Sequence, residues 1–256
     1  MSGGRDWLDD LGFRARNHLR WSAPAWRWPA RSLAAVTDRL SPEARARAVE
    51  LRGRYALDGW ARLLSRAQLH ENLYVLDVLD RFAPPSGRAA AACRGLDVGA
   101  KDGATAPARV AARPGPWDLV ELDAHRRYWD LSTRGAHGRR FARAFPGCRY
   151  LPGSVVDLTG PYDLITWFLP FVRLGPLRAW GLPARCFEPA RLLEHVVSLV
   201  APGGSLLIVN QGEAERDAQS ALLAALGLSL APARLESPLS PFRLPRFLFR
   251  WSRAPA

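Results

Sequence analysis

Lysine is almost missing from this chain: of 36 basic residues, only Lys101 is a lysine. The others are arginines set among abundant alanine and proline. A bias that strong reads as compositional, as in a GC-rich coding sequence. The net charge of +12 therefore says little by itself about a phosphate-bearing partner, and the placement of arginines matters more than their number. Cysteine is scarce too. Cys93, Cys148 and Cys186 are widely spaced and odd in number, which argues against a disulfide frame and against a zinc site. Each is expected as a small buried apolar residue in a reducing compartment. No apolar run approaches the roughly 20 residues a membrane-crossing helix needs. The opening Met1-Ser2-Gly3-Gly4-Arg5-Asp6-Trp7 lacks the apolar core and cleavage site of a secretory leader. A cytoplasmic location is the expectation, and no metal site is read.

What is present falls into three stretches. Residues 1–40 form an Arg/Trp-rich arm: between Leu11 and Thr37 there are five arginines, three tryptophans and no carboxylate. Arginine interleaved with tryptophan suits base stacking or a membrane surface, and it equally suits an arm that packs back on the body. Residues 41–87 form a helical region and linker. Ser41-Pro42-Glu43 is a helix start, with a capping hydroxyl followed by proline at the first helical position. Helical pattern runs to Phe82 with breaks near Gly53 and Gly59; Leu57, Trp60, Leu64 and Ala67, then Leu73, Leu76 and Leu79, are expected to be buried. Ala83-Pro84-Pro85-Ser86-Gly87 reads as the linker.

In residues 88–256 strands and helices alternate, which indicates a mainly parallel sheet covered on both faces. Strands are expected to Val98 and at Trp117–Leu122, Cys148–Leu151, Asp163–Phe168 and Ser205–Asn210. Helices are expected at Ala104–Ala112, Ala124–Ser132, Gly138–Phe145, Pro189–Val200 and Asp217–Leu226. Ala201-Pro202-Gly203-Gly204 reads as a turn, and Arg246–Trp251 as an antiparallel edge strand.

Within this pattern Gly95-Leu96-Asp97-Val98-Gly99-Ala100-Lys101-Asp102-Gly103 reads as a strand, a glycine turn and a helix start. Glu121 ends the next strand 24 residues after Asp97. A glycine turn lets backbone approach a ligand closely, and an acid at about that distance can reach a ribose diol. A nucleoside-containing ligand at the edge of a Rossmann-like sheet follows.

Four segments in order then resemble the class I S-adenosylmethionine-dependent methyltransferases. Leu96–Gly103 is similar to the family's acid-x-Gly-x-Gly-x-Gly turn. Val120-Glu121-Leu122-Asp123 is similar to its second-strand acid segment, and Tyr162-Asp163-Leu164-Ile165 to its fourth-strand opening. Leu199–Leu206 is similar to its helix–Pro-Gly-Gly–strand-five junction. The resemblance implies a Rossmann-like methyltransferase sheet with an N-terminal helical extension, and S-adenosyl-L-methionine as cofactor. It also implies a cofactor set of Asp97, Gly99, Ala100, Lys101, Gly103, Glu121 and Leu122. Lys101 stands where the family has its middle glycine. Its side chain is open to three readings: it narrows the pocket, pairs with the cofactor carboxylate, or faces solvent. Ser154 stands near the family's adenine-contacting acid.

On the acceptor side Phe168 ends strand four in Trp167-Phe168-Leu169-Pro170-Phe171. Asn210, Gln211 and Glu213 form a polar cluster at the end of strand five. Leu174–Pro189 is long enough to act as a lid. His195 reads as structural. No general base is identified. The expected activity is methyl transfer to a small-molecule acceptor, with nucleic acid a less supported partner. The rival is a non-catalytic Rossmann-like protein docking on RNA or a protein partner through its basic aromatic segments. A nicotinamide-dependent oxidoreductase is disfavoured by the strand-five junction and by the absence of a Tyr-x-x-x-Lys pair.

Overall fold

The structure, a computed structural model, describes residues 3–20, 29–30, 32–57, 59–83 and 93–255. The expected linker residues Pro84–Gly87 and the tryptophans Trp21, Trp26 and Trp28 lie outside the described residues.

The chain begins with α1 (Gly3–Leu19), followed by α2 (Ala34–Thr37), α3 (Pro42–Arg54), α4 (Trp60–Leu63) and α5 (Arg66–Phe82). Ser41 caps α3 by accepting from the backbone N–H of Ala44, as the sequence indicates. Ser65 and Gln68 cap α5 reciprocally. Because the chain breaks at Leu64-Ser65, helical phase is lost there: Leu57, Trp60 and Leu64 are buried, whereas Ala67 is exposed. The sequence reading takes residues 1–40 as an Arg/Trp-rich arm and marks no helix where α1 lies.

The rest alternates: β1 (Gly95–Val98), α6 (Ala106–Ala112), β2 (Trp117–Glu121), α7 (Arg134–Arg143), β3 (Arg149–Pro152), β4 (Tyr162–Phe168), α8 (Leu174–Ala179), α9 (Pro189–Ser198), β5 (Val200–Gln211), α10 (Gly212–Ala225), β6 (Ala233–Leu235) and β7 (Arg246–Ser252). They build one seven-stranded sheet in the order β3-β2-β1-β4-β5-β7-β6. The first five strands of that order are parallel, and β7 runs antiparallel to β5, as expected for the C-terminal strand. The three-residue β6, absent from the sequence reading, lies beyond β7 and pairs antiparallel with it.

Side-chain alternation on the central strands separates two apolar cores. Along β5, Leu207 and Val209 face the core shared with α5, α6 and α7, while Leu206 and Ile208 face the core shared with α9 and α10. A third, smaller cluster joins Phe13 of α1 to Leu177 and Leu182.

Three helix expectations need correction. Ala124–Ser132 is not a helix. Asp130 accepts hydrogen bonds from the backbone N–H and hydroxyl of Ser132, and Leu131 takes a positive φ, so the segment turns. The helix that follows starts at Arg134, capped by Thr133, rather than at Gly138. Finally, α10 starts at Gly212, five residues before the expected Asp217, directly at the carboxyl end of β5.

The Pro202-Gly203-Gly204 segment is not a free turn but a kink inside β5, where the register with β4 shifts. A Cβ on Gly204 would stand 2.9 Å from the carbonyl oxygens of both Ala201 and Tyr162, so only glycine fits.

Candidate functional site

A cavity of about 570 Å³ opens at the carboxyl ends of β1, β2, β4 and β5. That lies within the roughly 300–1,000 Å³ usual for small-ligand sites. In an open α/β sheet this is the crevice where ligands bind. The glycine turn forms one part of its wall, α5 another, and the segment from α8 to Cys186 a third.

Asp97, Gly99, Ala100, Lys101, Glu121, Leu122 and Ser154 all line the cavity. Gly99 has φ +70, and a Cβ added there would meet no atom within 4 Å. Its position is therefore left-handed and faces open space, so a side chain would stand in the cavity. Gly103 does not line it. Its φ of +69 and the 3.1 Å from its would-be Cβ to the Cα of Gly138 give it a packing role against α7.

Glu121 is buried, and its carboxylate is oriented from both sides. Its Oε2 accepts from the Lys101 N–H at 2.8 Å, and its Oε1 accepts from the Asp123 N–H at 2.8 Å. Arg134 Nη1 approaches Oε1 at 3.5 Å. A carboxylate has about four lone-pair sites, so capacity remains toward the cavity. Burial pushes the Glu121 carboxyl above the ordinary glutamate value, outweighing the pull of Arg134 and of the two backbone donors.

Lys101 resolves differently from its neighbours. It has φ +54, its N–H serves Glu121, and its carbonyl accepts from the Tyr150 hydroxyl at 2.6 Å. Its exposed side chain places Nζ 5.9 Å from the centre of the Trp180 ring, which Arg134 also approaches at 4.7 Å. Trp180 follows α8, so the cations of the glycine turn and of α7 meet the lid segment on this ring.

Asp97 meets a partner that the sequence did not suggest. Arg109 Nη2 lies 2.6 Å from its Oδ1, and the Thr166 hydroxyl donates to the same oxygen at 2.9 Å. Both charged side chains are almost wholly buried. Burial pushes the Asp97 carboxyl up against the pull of Arg109 and Thr166. Ser154 lines the cavity while its hydroxyl caps the short turn that follows it.

At the other end Phe168 and Gln211 line the cavity, and Asn210 and Glu213 do not. Asn210 is fully buried opposite Phe247, and neither polar atom of its amide has a hydrogen-bond partner among the described residues. Glu213 is exposed on the first turn of α10. The cavity-facing acid is instead Glu215, which accepts from the Gln211 N–H at 3.1 Å. The two-residue displacement follows from the early start of α10. Sequence reading also missed Glu71 and Tyr74 of α5 and Arg246 of β7, which line the same end. Spaced i, i+3, Glu71 and Tyr74 share a helix face. Burial pushes the Glu71 carboxyl above the ordinary value. His195 is structural, with Nε2 3.1 Å from the Leu158 carbonyl.

The helix α1 packs on the turn after β2 and on the segment that follows α8. Arg16 donates to both carboxylate oxygens of the fully buried Asp123, at 2.6 and 3.1 Å, and Asp6 accepts from the Ala184 N–H at 2.9 Å. Among the described residues, no helix is long and apolar enough to cross a membrane, and no group of three or more His, Cys, Asp or Glu is placed to hold a metal ion.

No protein-family model matches the sequence, and the comparison with curated proteins finds no match. Solved structures do match. A candidate RNA methyltransferase from Pyrococcus horikoshii superposes with a TM-score of 0.51 at 14% identity, over 84% of this chain and 98% of that one. The CurJ carbon methyltransferase superposes with a TM-score of 0.50 at 13% identity, over 82% of this chain and 68% of that one. The fold is that of the class I S-adenosylmethionine-dependent methyltransferases.

Proposed function

We propose that the chain is a methyltransferase that uses S-adenosylmethionine and acts on a small-molecule acceptor taken into the cavity. One observation carries this reading. The glycine turn, with Gly99 open to the cavity, and Glu121, with spare accepting capacity, share one enclosed space with the polar end formed by Gln211 and Glu215.

The cofactor supplies a sulfonium-bound methyl group. The chain's own residues do the rest. Glu121 accepts from the ribose hydroxyls with the lone pairs its backbone donors leave free. Leu122 and Ser154 would hold the adenine end, and Gly99 and Ala100 would admit the methionine portion close to the backbone. Methyl transfer needs aligned groups more than a proton shuttle, so positioning inside a closed cavity supplies most of what catalysis requires.

The small-molecule reading is favoured over RNA docking by what the arginines do. Arg16, Arg47, Arg109, Arg134 and Arg149 are committed to carboxylates of the same chain rather than to a free basic face. The N-terminal helices serve the acceptor side, since α5 walls the cavity there.

Calorimetry with S-adenosylhomocysteine tests the reading. Binding by the wild-type chain is expected, and Glu121→Ala is expected to lose at least about tenfold in affinity, or about 1.4 kcal/mol, while its circular dichroism stays that of the parent. A folded wild-type sample that does not bind refutes it.

A further inference from the structure

Among the described residues, the polar end of the cavity contains a buried cation with no carboxylate in direct contact. Arg246 is 5% exposed and lines the cavity. Its Nη1 donates to Gln211 Oε1 at 3.1 Å, and its Nε has no hydrogen-bond partner among the described residues. Glu215 is nearby, yet Gln211 stands between the two: its amide nitrogen approaches Glu215 Oε1 at 3.5 Å while its amide oxygen faces Arg246. The amide thus separates an acid from a base that would otherwise neutralise each other. Burying a guanidinium that no carboxylate touches is costly, and burial lowers the Arg246 pKa against the pull of Glu215 and Glu71.

A second orphan sits beside it. Tyr74 is 2% exposed, lines the cavity, and its hydroxyl has no hydrogen-bond partner among the described residues. Burial pushes this phenol up to about 12, so it remains a neutral donor at physiological pH. Phe242 fixes both groups: the guanidinium lies 4.1 Å from its ring centre, and the Tyr74 ring meets it edge-on at 5.3 Å. One apolar ring therefore packs against a guanidinium that makes no direct ion pair among the described residues and against an unpaired hydroxyl, at the same end of one cavity.

We infer that Tyr74 and Arg246 bind a carboxylate of the methyl acceptor, whose apolar body lies against Phe242 and Phe168. The assignment rests on the methyltransferase reading for the word acceptor, but the carboxylate pocket stands on its own residues. A planar monoanion matches a guanidinium edge plus one hydroxyl. Glu71 and Glu215 occupy the same end of the cavity and oppose any anion there, and they oppose a phosphate dianion about twice as strongly as a carboxylate monoanion.

Benzoate, benzamide and phenyl phosphate serve as probes, titrated calorimetrically into the wild-type chain with and without saturating S-adenosylhomocysteine. Benzoate is expected to bind saturably, at least about tenfold more tightly than neutral benzamide, and more tightly than phenyl phosphate; a hydrogen-bonded charge typically supplies a factor of that order. Arg246→Gln is expected to lose at least about tenfold in benzoate affinity, and the near-isosteric Tyr74→Phe about threefold or more. Both variants should bind S-adenosylhomocysteine within about twofold of the parent.

Absence of saturable benzoate binding, equal affinity for benzoate and benzamide, or unchanged benzoate affinity in Tyr74→Phe overturns the inference. Tighter binding of phenyl phosphate than of benzoate overturns the choice of carboxylate. If the wild-type chain fails to bind S-adenosylhomocysteine but holds benzoate in the predicted order, the cofactor reading falls and the carboxylate pocket stands.

Discussion

The backbone N–H of Lys101 donates to Glu121 Oε2 at 2.8 Å, so the glycine turn is tied to the acid at the end of β2 through its main chain. Any residue can supply that N–H. What the position demands is φ +54, which costs an L-residue roughly 1 kcal/mol and glycine little. The ammonium faces the Trp180 ring at an exposed site, an interaction worth roughly 0.5–1 kcal/mol.

Lys101→Gly should therefore leave unfolding stability within about 1 kcal/mol of the parent, as relief of the left-handed strain offsets glycine's added entropy. Its affinity for S-adenosylhomocysteine should fall by less than about fivefold. A loss as large as that of Glu121→Ala would mean that the ammonium itself holds the ligand.

Asp97 and Arg109 make the most buried of the described ion pairs next to the cavity. Removing one partner of such a pair strands the other. Arg109→Met should cost about 3–5 kcal/mol in urea unfolding, because the Asp97 carboxylate would keep only the Thr166 hydroxyl. Replacing both, as Asp97→Asn with Arg109→Met, should recover part of that loss. A single-variant cost under about 1 kcal/mol would show that the carboxylate is protonated or hydrated in the native state.

Much of this arrangement was readable before any coordinates, and the reason is locality. Buried strands ending in a glycine, an acid at a strand end, a Ser-Pro helix start: each is a signal carried by a few consecutive residues. Gly99, Glu121 and Ser41 were legible on that basis. Arg109 and Arg246 were not, because each acquires meaning only from a partner far along the chain. In a chain where arginine is the default basic residue, nothing marks two of them as special. Tyr74 was hidden within a helix whose pattern announces only burial. Glu213 falls outside the cavity and Glu215 inside it because α10 starts earlier than its sequence pattern suggests. Once a helix begins at Gly212, two residues of displacement turn a side chain from solvent to cavity.

The strand-five junction separates two kinds of glycine requirement. Gly203 has φ +76, but a Cβ there meets nothing within 4 Å. Gly203→Ala should cost about 1 kcal/mol, the penalty of a left-handed alanine. Gly204 has no such φ, but its Cβ would press on the carbonyls of Ala201, Tyr162 and Asp163 at 2.9–3.1 Å, and backbone cannot step aside. Gly204→Ala should therefore be the worse variant, by about 1–3 kcal/mol of overpacking. The order is read from paired melting curves. Equal costs would mean that the kink in β5 relaxes.

Glu121 connects ligand binding to pH. Its carboxyl is raised above the ordinary 4.5 by burial. A group raised in the folded state contributes stability that is fully present below the unfolded value and is lost as pH rises through the folded value. Under the proposed reading ligand binding runs the other way, since ribose hydroxyls would donate to the ionised carboxylate and compete poorly with a protonated one. On acidification, affinity for S-adenosylhomocysteine should begin to fall at a pH above 4.5, as Glu121 takes up its proton, even though this group is then stabilising the fold. Well below the folded value, the slope should approach about tenfold per pH unit for one linked proton. Calorimetry from about pH 8 down to about pH 4.5, in buffers of different ionisation enthalpy, measures both the affinity and the proton count. Glu121→Gln should flatten the profile at a lower affinity. A wild-type profile that stays flat across this range would show that Arg134 and the two backbone donors hold the carboxylate ionised despite its burial.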